Sequence, residues 1–234
     1  MKILSLETSA KSVSAAVTDG EKLLAYAYQA TGLTHSRTLM PMVEAMLQNS
    51  DLTLSDMEAI AVSAGPGSFT GLRIGVAAAK GLAWAQDLPC CGVSTLEAMA
   101  QNAAHMDGLV ICAMDARRSQ VYNALFLARD GVLTRLCADR AISLDELYEE
   151  IKDDPRPKVI VGDGAQLTYD YLSQKELPCR LALQQIRMQN AAGVGFLAQK
   201  AAAENMLISA QELSPVYLRL SQAERERLER EKNA

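Results

Sequence analysis

An internal repeat does most to restrict the fold of this chain. Setting Glu7 against Asp115 lays Ile3-Leu4-Ser5-Leu6-Glu7 over Ile111-Cys112-Ala113-Met114-Asp115 and puts Val13 on Val121 and Val17 on Leu125. The Asp19-Gly20 turn has a near counterpart in Asp130-Gly131, and Ala59-Ile60-Ala61-Val62-Ser63-Ala64-Gly65 is echoed by Lys158-Val159-Ile160-Val161-Gly162-Asp163-Gly164. Each half reads as strand, strand, strand, helix, strand, glycine turn, helix. Such a unit is too long for a solenoid repeat. It predicts two related α/β lobes, residues 1–107 and 108–234, each with a mixed sheet whose first three strands form an antiparallel meander.

Local signals fill in the halves. Residues 2–7, 12–17 and 23–28 read as strands, with Asp19-Gly20 as a hairpin turn. Thr34 stands where a helix N-cap would, and Leu39, Met42, Val43, Met46 and Leu47 keep the spacing of an amphipathic helix. Pro41 inside that helix is expected to bend it. Short strands follow at 59–62 and 91–93, then a helix from Ser94. In the second half Ser143 caps a helix to residue 151. An alanine-rich helix spans 190–203, interrupted by Gly193 and Gly195, and 215–220 is a strand or an extended segment. The tail from Ser221 alternates charge at i, i+4, as a solvated helix does.

The densest motif is Gly65-Pro66-Gly67-Ser68-Phe69-Thr70-Gly71-Leu72-Arg73-Ile74-Gly75, between the 59–62 strand and an alanine-rich helix at 76–84. Two uses are open to it. A glycine turn before a helix can cradle an anion, with Gly65, Gly67 and Ser68 in the first lobe and Asp115, Gly162 and Gly164 in the second. No lysine follows as it does in a P-loop, however, and Pro66 removes a donor. The other use is packing. Gly71, Gly75 and Ala79 lie four apart on one helix face, and each helical glycine costs about 1 kcal/mol relative to alanine. Small residues let another helix come close, and Met40, Met42 and Met46 offer an adaptable surface beside them, with Met42 and Met46 also filling core. The run is therefore read as an interface motif first and an anion site second.

Several classes are disfavoured. A net charge of −5 with no basic stripe argues against a chain that grips nucleic acid unaided. Any RNA partner would be held largely by another subunit. No run of about 18 apolar residues exists to span a membrane, and the amino terminus lacks a signal-peptide apolar region, so the expected location is the cytoplasm. The five cysteines have no metal-ligand spacing and read as reduced, mostly buried thiols. With only His35 and His105, the chain is poor material for a borderline or transition-metal site. His35 reads as a capping or interface histidine. Glu7 and Asp115 are either turn acids accepting backbone N–H groups or acids placed to hold Mg²⁺ or water.

Two duplicated lobes with acid-tipped first hairpins resemble the actin, sugar-kinase and Hsp70-like superfold (ASKHA, RNase H-like). More specifically, the sequence resembles the bacterial TsaB (YeaZ) family, Gcp-like proteins of tRNA threonylcarbamoyladenosine biosynthesis. The resemblance is carried by Ile3-Leu4-Ser5-Leu6-Glu7-Thr8-Ser9, His35-Ser36-Arg37-Thr38-Leu39-Met40-Pro41, the glycine run, and Gly92-Val93-Ser94-Thr95-Leu96-Glu97. In the second half it rests on Asp115-Ala116-Arg117-Arg118 with Val121-Tyr122, on Gly162-Asp163-Gly164, and on Pro215-Val216-Tyr217-Leu218-Arg219. Glu7 stands where many members carry aspartate, which keeps the charge.

The resemblance implies a non-catalytic partner of TsaD, the paralogue that holds the catalytic site. With the ATPase TsaE, TsaD moves a threonylcarbamoyl group from its adenylate onto the adenosine beside the tRNA anticodon. TsaD's metal-binding histidine pair would fall on Ser94-Thr95-Leu96-Glu97-Ala98-Met99-Ala100, which holds no histidine. The small-residue stripe and the methionines then make the two first-lobe helices the expected docking face for TsaD, with His35, Leu39, Met40, Gly67, Phe69, Thr70, Gly71, Arg73, Ile74, Gly75 and Ala79 as its contacts. The same face would pair two copies when the chain is alone. No cofactor of its own is expected, since ATP is used by the complex, although weak nucleotide binding in the lobe cleft stays open. The alternative is an independent ATPase or glycopeptidase-like metalloenzyme of the same fold, against which the histidine shortage counts.

Overall fold

Strand β1 (Lys2–Glu7) alternates apolar side chains to both faces, so it must lie in the middle of a sheet. It pairs antiparallel with β2 (Val13–Asp19), which pairs antiparallel with β3 (Lys22–Gln29) through the Asp19-Gly20 turn, Gly20 having φ +56. Strands β4 (Ala59–Gly65) and β5 (Cys90–Ser94) add parallel on the other side, giving the order β3-β2-β1-β4-β5. The computed structural model describes residues 1–117 and 119–219. Arg118 of the second-lobe motif and the expected charged helix from Ser221 lie outside them.

Helices α1 (His35–Gln48) and α2 (Phe69–Gln86) cover one face of this sheet. Leu39, Val43, Val76 and Ala79 pack there against Leu4, Leu6, Ile60 and Val62. The α1 helix runs through Pro41, and Thr34 stands at its N-cap without a side-chain cap bond. The α2 helix begins at Phe69, directly after the Gly65–Ser68 turn, where the Ser68 hydroxyl accepts from the Gly71 amide and caps it.

The second lobe repeats the plan. Its strands are β6 (Gly108–Asp115), β7 (Gln120–Arg129), β8 (Val132–Arg135), β9 (Arg140–Ser143), β10 (Lys158–Val161) and β11 (Arg180–Leu181). They are ordered β11-β10-β6-β7-β8, with β9 also on β7. Ser143 caps α4 (Leu144–Ile151) in a reciprocal capping box with Glu146. With α5 (Ala165–Gln174), α4 covers the outer face, burying Leu147 and Leu172 against Ile111 and Ile160.

The remaining faces are covered crosswise. Helix α3 (Thr95–Ala100) leaves the first lobe and packs Leu96 and Met99 on Val110, Cys112 and Met114 of the second sheet. After the short α6 (Gln184–Arg187), α7 (Ala191–Ala203) returns to the first sheet, where Val194 and Ala198 meet Ile3, Ala59, Ala61 and Val93. Gly193 of α7 passes so close to α3 that a Cβ would strike the Ala98 carbonyl. The chain then stays on the first lobe as far as Tyr217. Cys90 and Ile208 exchange backbone bonds of 2.7 and 2.9 Å, Leu213 enters the core beneath α2, and the Val216 amide donates to the Ala64 carbonyl at 2.7 Å. This corrects the division at residue 107. Residues 191–217 complete the first lobe, since each sheet has two apolar faces and its own two helices cover only one. The expected strand-or-extended segment after Pro215 is extended.

The repeat is also out of step with the alignment of Glu7 on Asp115. Leu4 and Leu6 face α1 and α2, whereas the residues of β6 that face α4 and α5 are Leu109, Ile111 and Ala113. An odd shift exchanges the two faces of a strand, so Glu7 matches the inward-facing series of Cys112 and Met114 and not Asp115.

Candidate docking face and interlobe site

Glu7 ends β1 on the face turned toward α7 and is fully buried. Its carboxylate accepts from the Ser9 amide at 2.5 Å and from the Ser63 hydroxyl. Burial pushes its pKa above the ordinary glutamate value, and the Ser63 and Ser9 hydrogen bonds oppose the rise. Asp115 is exposed and accepts from the Arg117 amide at 2.7 Å, as a turn acid does. The two acids, read together from the repeat, thus occupy unlike environments.

In each glycine turn an amide that an anion cradle would use is already bonded within the chain. The Ser68 amide donates to the Ser9 carbonyl at 2.7 Å, and a Cβ on Gly67 would stand 2.6 Å from that same oxygen. Gly65, at φ +140, closes against the Val216 carbonyl. In the second lobe the Gly162 amide donates to the Arg187 carbonyl at 2.7 Å and the Gly164 amide to the Ala113 carbonyl at 3.1 Å. These donors bind the protein itself. Close by, Asp163 accepts from the Gln189 side chain at 3.0 Å, and burial raises its pKa.

The small face of α2 turns inward. A Cβ on Gly71 would strike the Thr8 carbonyl, and one on Gly75 would strike the Thr8 hydroxyl and press on Val62. Ala79 and Leu39 are buried in the lobe core, and Gly67 is buried against Ser9. The close approach that these small residues permit is therefore made by the β1–β2 turn, and the reading of Leu39, Gly67, Gly71, Gly75 and Ala79 as direct partner contacts is corrected. Of the predicted docking residues, Met40, Thr70 and Arg73 are exposed, and His35, Phe69 and Ile74 are half-buried. Met42 is half-buried and Met46 buried, and both line an open cavity of about 380 Å³ between α1 and β3, with Tyr26.

His35 anchors the start of α1. Its Nε2 lies 2.7 Å from the Ala10 carbonyl and so donates to it, while Nδ1 is buried with no partner among the described residues. Sequence reasoning missed Tyr217. Its ring stacks on Phe69 with centres 4.3 Å apart and planes 7° apart, and its hydroxyl accepts from Arg73 Nε at 2.9 Å. Only the returning C-terminal strap brings these groups together. Among the described residues no three His, Cys, Asp or Glu side chains converge as metal ligands, and no helix is long and apolar enough to cross a membrane.

Comparison with known proteins agrees with this architecture. The family described as TsaD: tRNA N6-adenosine threonylcarbamoyltransferase matches residues 29–226. The tRNA threonylcarbamoyladenosine biosynthesis protein TsaB of Bacillus subtilis (strain 168) is 35% identical, the match covering 99% of this chain and 100% of that protein. The TsaB of Escherichia coli (strain K12) is 32% identical, over 94% of this chain and 95% of its own. Among solved structures, YeaZ from Pseudomonas aeruginosa superposes with a TM-score of 0.78 at 28% identity, over 93% of this chain and 99% of that one. The (R)-2-hydroxyglutaryl-CoA dehydratase component A of Acidaminococcus fermentans, with a TM-score of 0.51 at 13% identity over 87% of this chain and 99% of that one, shares the fold alone. The lobes are those of the duplicated actin, sugar-kinase and Hsp70-like fold. The chain belongs to the TsaB (YeaZ) family of tRNA threonylcarbamoyladenosine biosynthesis proteins.

Proposed function

We propose that this chain acts in the cytoplasm as the non-catalytic partner of a TsaD-type subunit, in transfer of the threonylcarbamoyl group to the adenosine beside the tRNA anticodon. Family membership supplies the pathway. The observation that carries the non-catalytic half is the sealing of Glu7. An acid that positions Mg²⁺ or water at a phosphate must face the cleft, whereas this one is fully buried and held by Ser9 and Ser63. The occupied amides of the two glycine turns support the same reading, and they count against an independent ATPase of this fold. ATP is then consumed by the complex, with a TsaE-type ATPase as third member.

Docking falls to the outer side of α1 and α2. Met40, Thr70 and Ile74, with His35, form its contact side, and the buried glycines hold the helix in place behind them. The same apolar surface serves a homodimer when the partner is missing, as an isologous contact would. Reconstitution of the modification with and without this chain tests the proposal.

A further inference from the structure

Two sequence motifs take no part in docking through α1 and α2: Asp115-Ala116-Arg117-Arg118 and Pro215-Val216-Tyr217-Leu218-Arg219. The fold brings them together. Arg219 donates from Nη1 to the Ala116 carbonyl at 2.6 Å. Leu218 packs on the second-lobe core beside Ala116, while Tyr217 lies on α2 of the first lobe. The guanidinium carbon of Arg73 sits 5.7 Å from the ring centres of both Phe69 and Tyr217. Arg73, Arg219 and Arg117 thus follow one another from the start of α2 to the β6–β7 turn.

Arg73, Arg117 and Arg219, like Arg37, Arg180 and Arg187, pair with no carboxylate among the described residues, unlike Arg129, Arg135, Arg140 and Arg156. What distinguishes the three is that the fold gathers them along one rim. Each guanidinium carries five N–H donors. Arg73 gives one to the Tyr217 hydroxyl and Arg219 one to the Ala116 carbonyl, so both are held in position with donors to spare. Acids at this rim are Asp115, whose carboxylate holds the Arg117 amide, and Asp163, which accepts from Gln189. Lys11 is exposed and lies within electrostatic reach of Asp163. On a chain of net charge −5, this is a local excess of positive charge that no continuous stretch of sequence displays.

We infer that the rim formed by Arg73, Arg117 and Arg219 beside the Phe69–Tyr217 stack is a contact surface for the RNA substrate. Arginines held in place with free donors, as Arg73 and Arg219 are, suit phosphate oxygens, and aromatic rings beside arginine, here exposed Tyr217 and half-buried Phe69, are the usual company of RNA strands. This rests on the reading above, that the assembly acts on tRNA. It alters the division of labour expected from the sequence, because this subunit then bears part of the phosphate contact.

Arg117 gives the cleanest test, since it is exposed and lies off α1 and α2. The full chain, paired with its TsaD-type subunit, is assayed on a tRNA transcript over a range of salt. For Arg117→Glu the KM for the transcript is expected to rise about tenfold, and the slope of log KM against log salt to fall by about 1. The kcat and the affinity between the two proteins should stay unchanged. Arg117→Lys should recover much of the loss, and Arg129→Glu, at the distant β7–β8 turn, should lose nothing. An unchanged KM and salt slope would overturn the inference. So would loss of protein association, which would assign the rim to an acidic protein surface. Failure of the unaltered chain to support modification would instead strike the functional reading on which the inference rests.

Discussion

Gly75 faces Thr8 across the inside of the first lobe, so that a side chain on Gly75 would strike the Thr8 hydroxyl and come within 3.2 Å of the Val62 methyl. The contact fixes α2 against the β1–β2 turn. Overpacking such a site costs on the order of 1–3 kcal/mol. Gly75→Val is therefore expected to lower Tm by several degrees, at about 2–4 °C per kcal/mol for a chain of this size. Calorimetry of the isolated chain reads this directly. An unchanged melt combined with lost partner binding would return Gly75 to the docking surface.

On the proposed reading, docking depends on what α1 and α2 show to solvent. Met40 is 42% exposed, and an exposed substitution away from special features moves stability by no more than about 0.5 kcal/mol. Met40→Asp should melt like the unaltered chain. Its association with the TsaD-type subunit should weaken by about 2 kcal/mol, the scale of an interface hot spot. Titration calorimetry on the pair measures this, and full-strength binding would remove Met40 from the interface.

Glu7 should leave a signature in the pH dependence of stability. Its pKa in the folded chain is raised, with burial the largest cause. A raised folded pKa means that the group's favourable contribution is complete below the unfolded value, near 4.5, and is lost as pH rises through the folded value. Glu7→Gln stays neutral and can still meet Ser9 and the Ser63 hydroxyl, so it escapes that loss. Urea denaturation at pH 5 and pH 8 should show Glu7→Gln gaining on the unaltered chain as pH rises. A difference that stays flat, or shrinks, contradicts the account.

The crosswise packing of α3 and α7 predicts that the halves do not fold apart. Residues 1–107 alone would expose Ile3, Ala59, Ala61 and Val93, which α7 covers in the whole chain. That fragment should lack a cooperative thermal transition and bind a hydrophobic dye. A sharp transition near that of the full chain would restore the division at residue 107.

Much of the fold is legible in the sequence, since hairpin turns, N-caps and helical spacing are local. The Asp19-Gly20 turn, the Ser143 cap and the strand at 158–161 lie where those signals put them. What escaped depends on contacts between distant segments. An alanine-rich helix such as α7 is apolar nearly all round, so its pattern does not say which sheet it will cover. The glycines of α2 announce a close approach but not its direction, which is set by Thr8. The one-residue slip between Glu7 and Asp115 is invisible where strands are apolar on both faces, because alternation then gives no register. Tyr217 and Arg219 gain their surroundings only when the C-terminal strap returns to α2 and then to the β6–β7 turn.

The central claim is that this chain is a required but non-catalytic partner, and reconstitution tests it most directly. A tRNA transcript, the threonylcarbamoyl adenylate, and TsaD-type and TsaE-type subunits are combined with and without the chain, and the modified adenosine is quantified. The account predicts that modification falls at least about tenfold without the chain, a loss of about 1.4 kcal/mol or more in effective activation, and that the chain alone yields none. Equal modification in its absence, or transfer by the isolated chain, would contradict it.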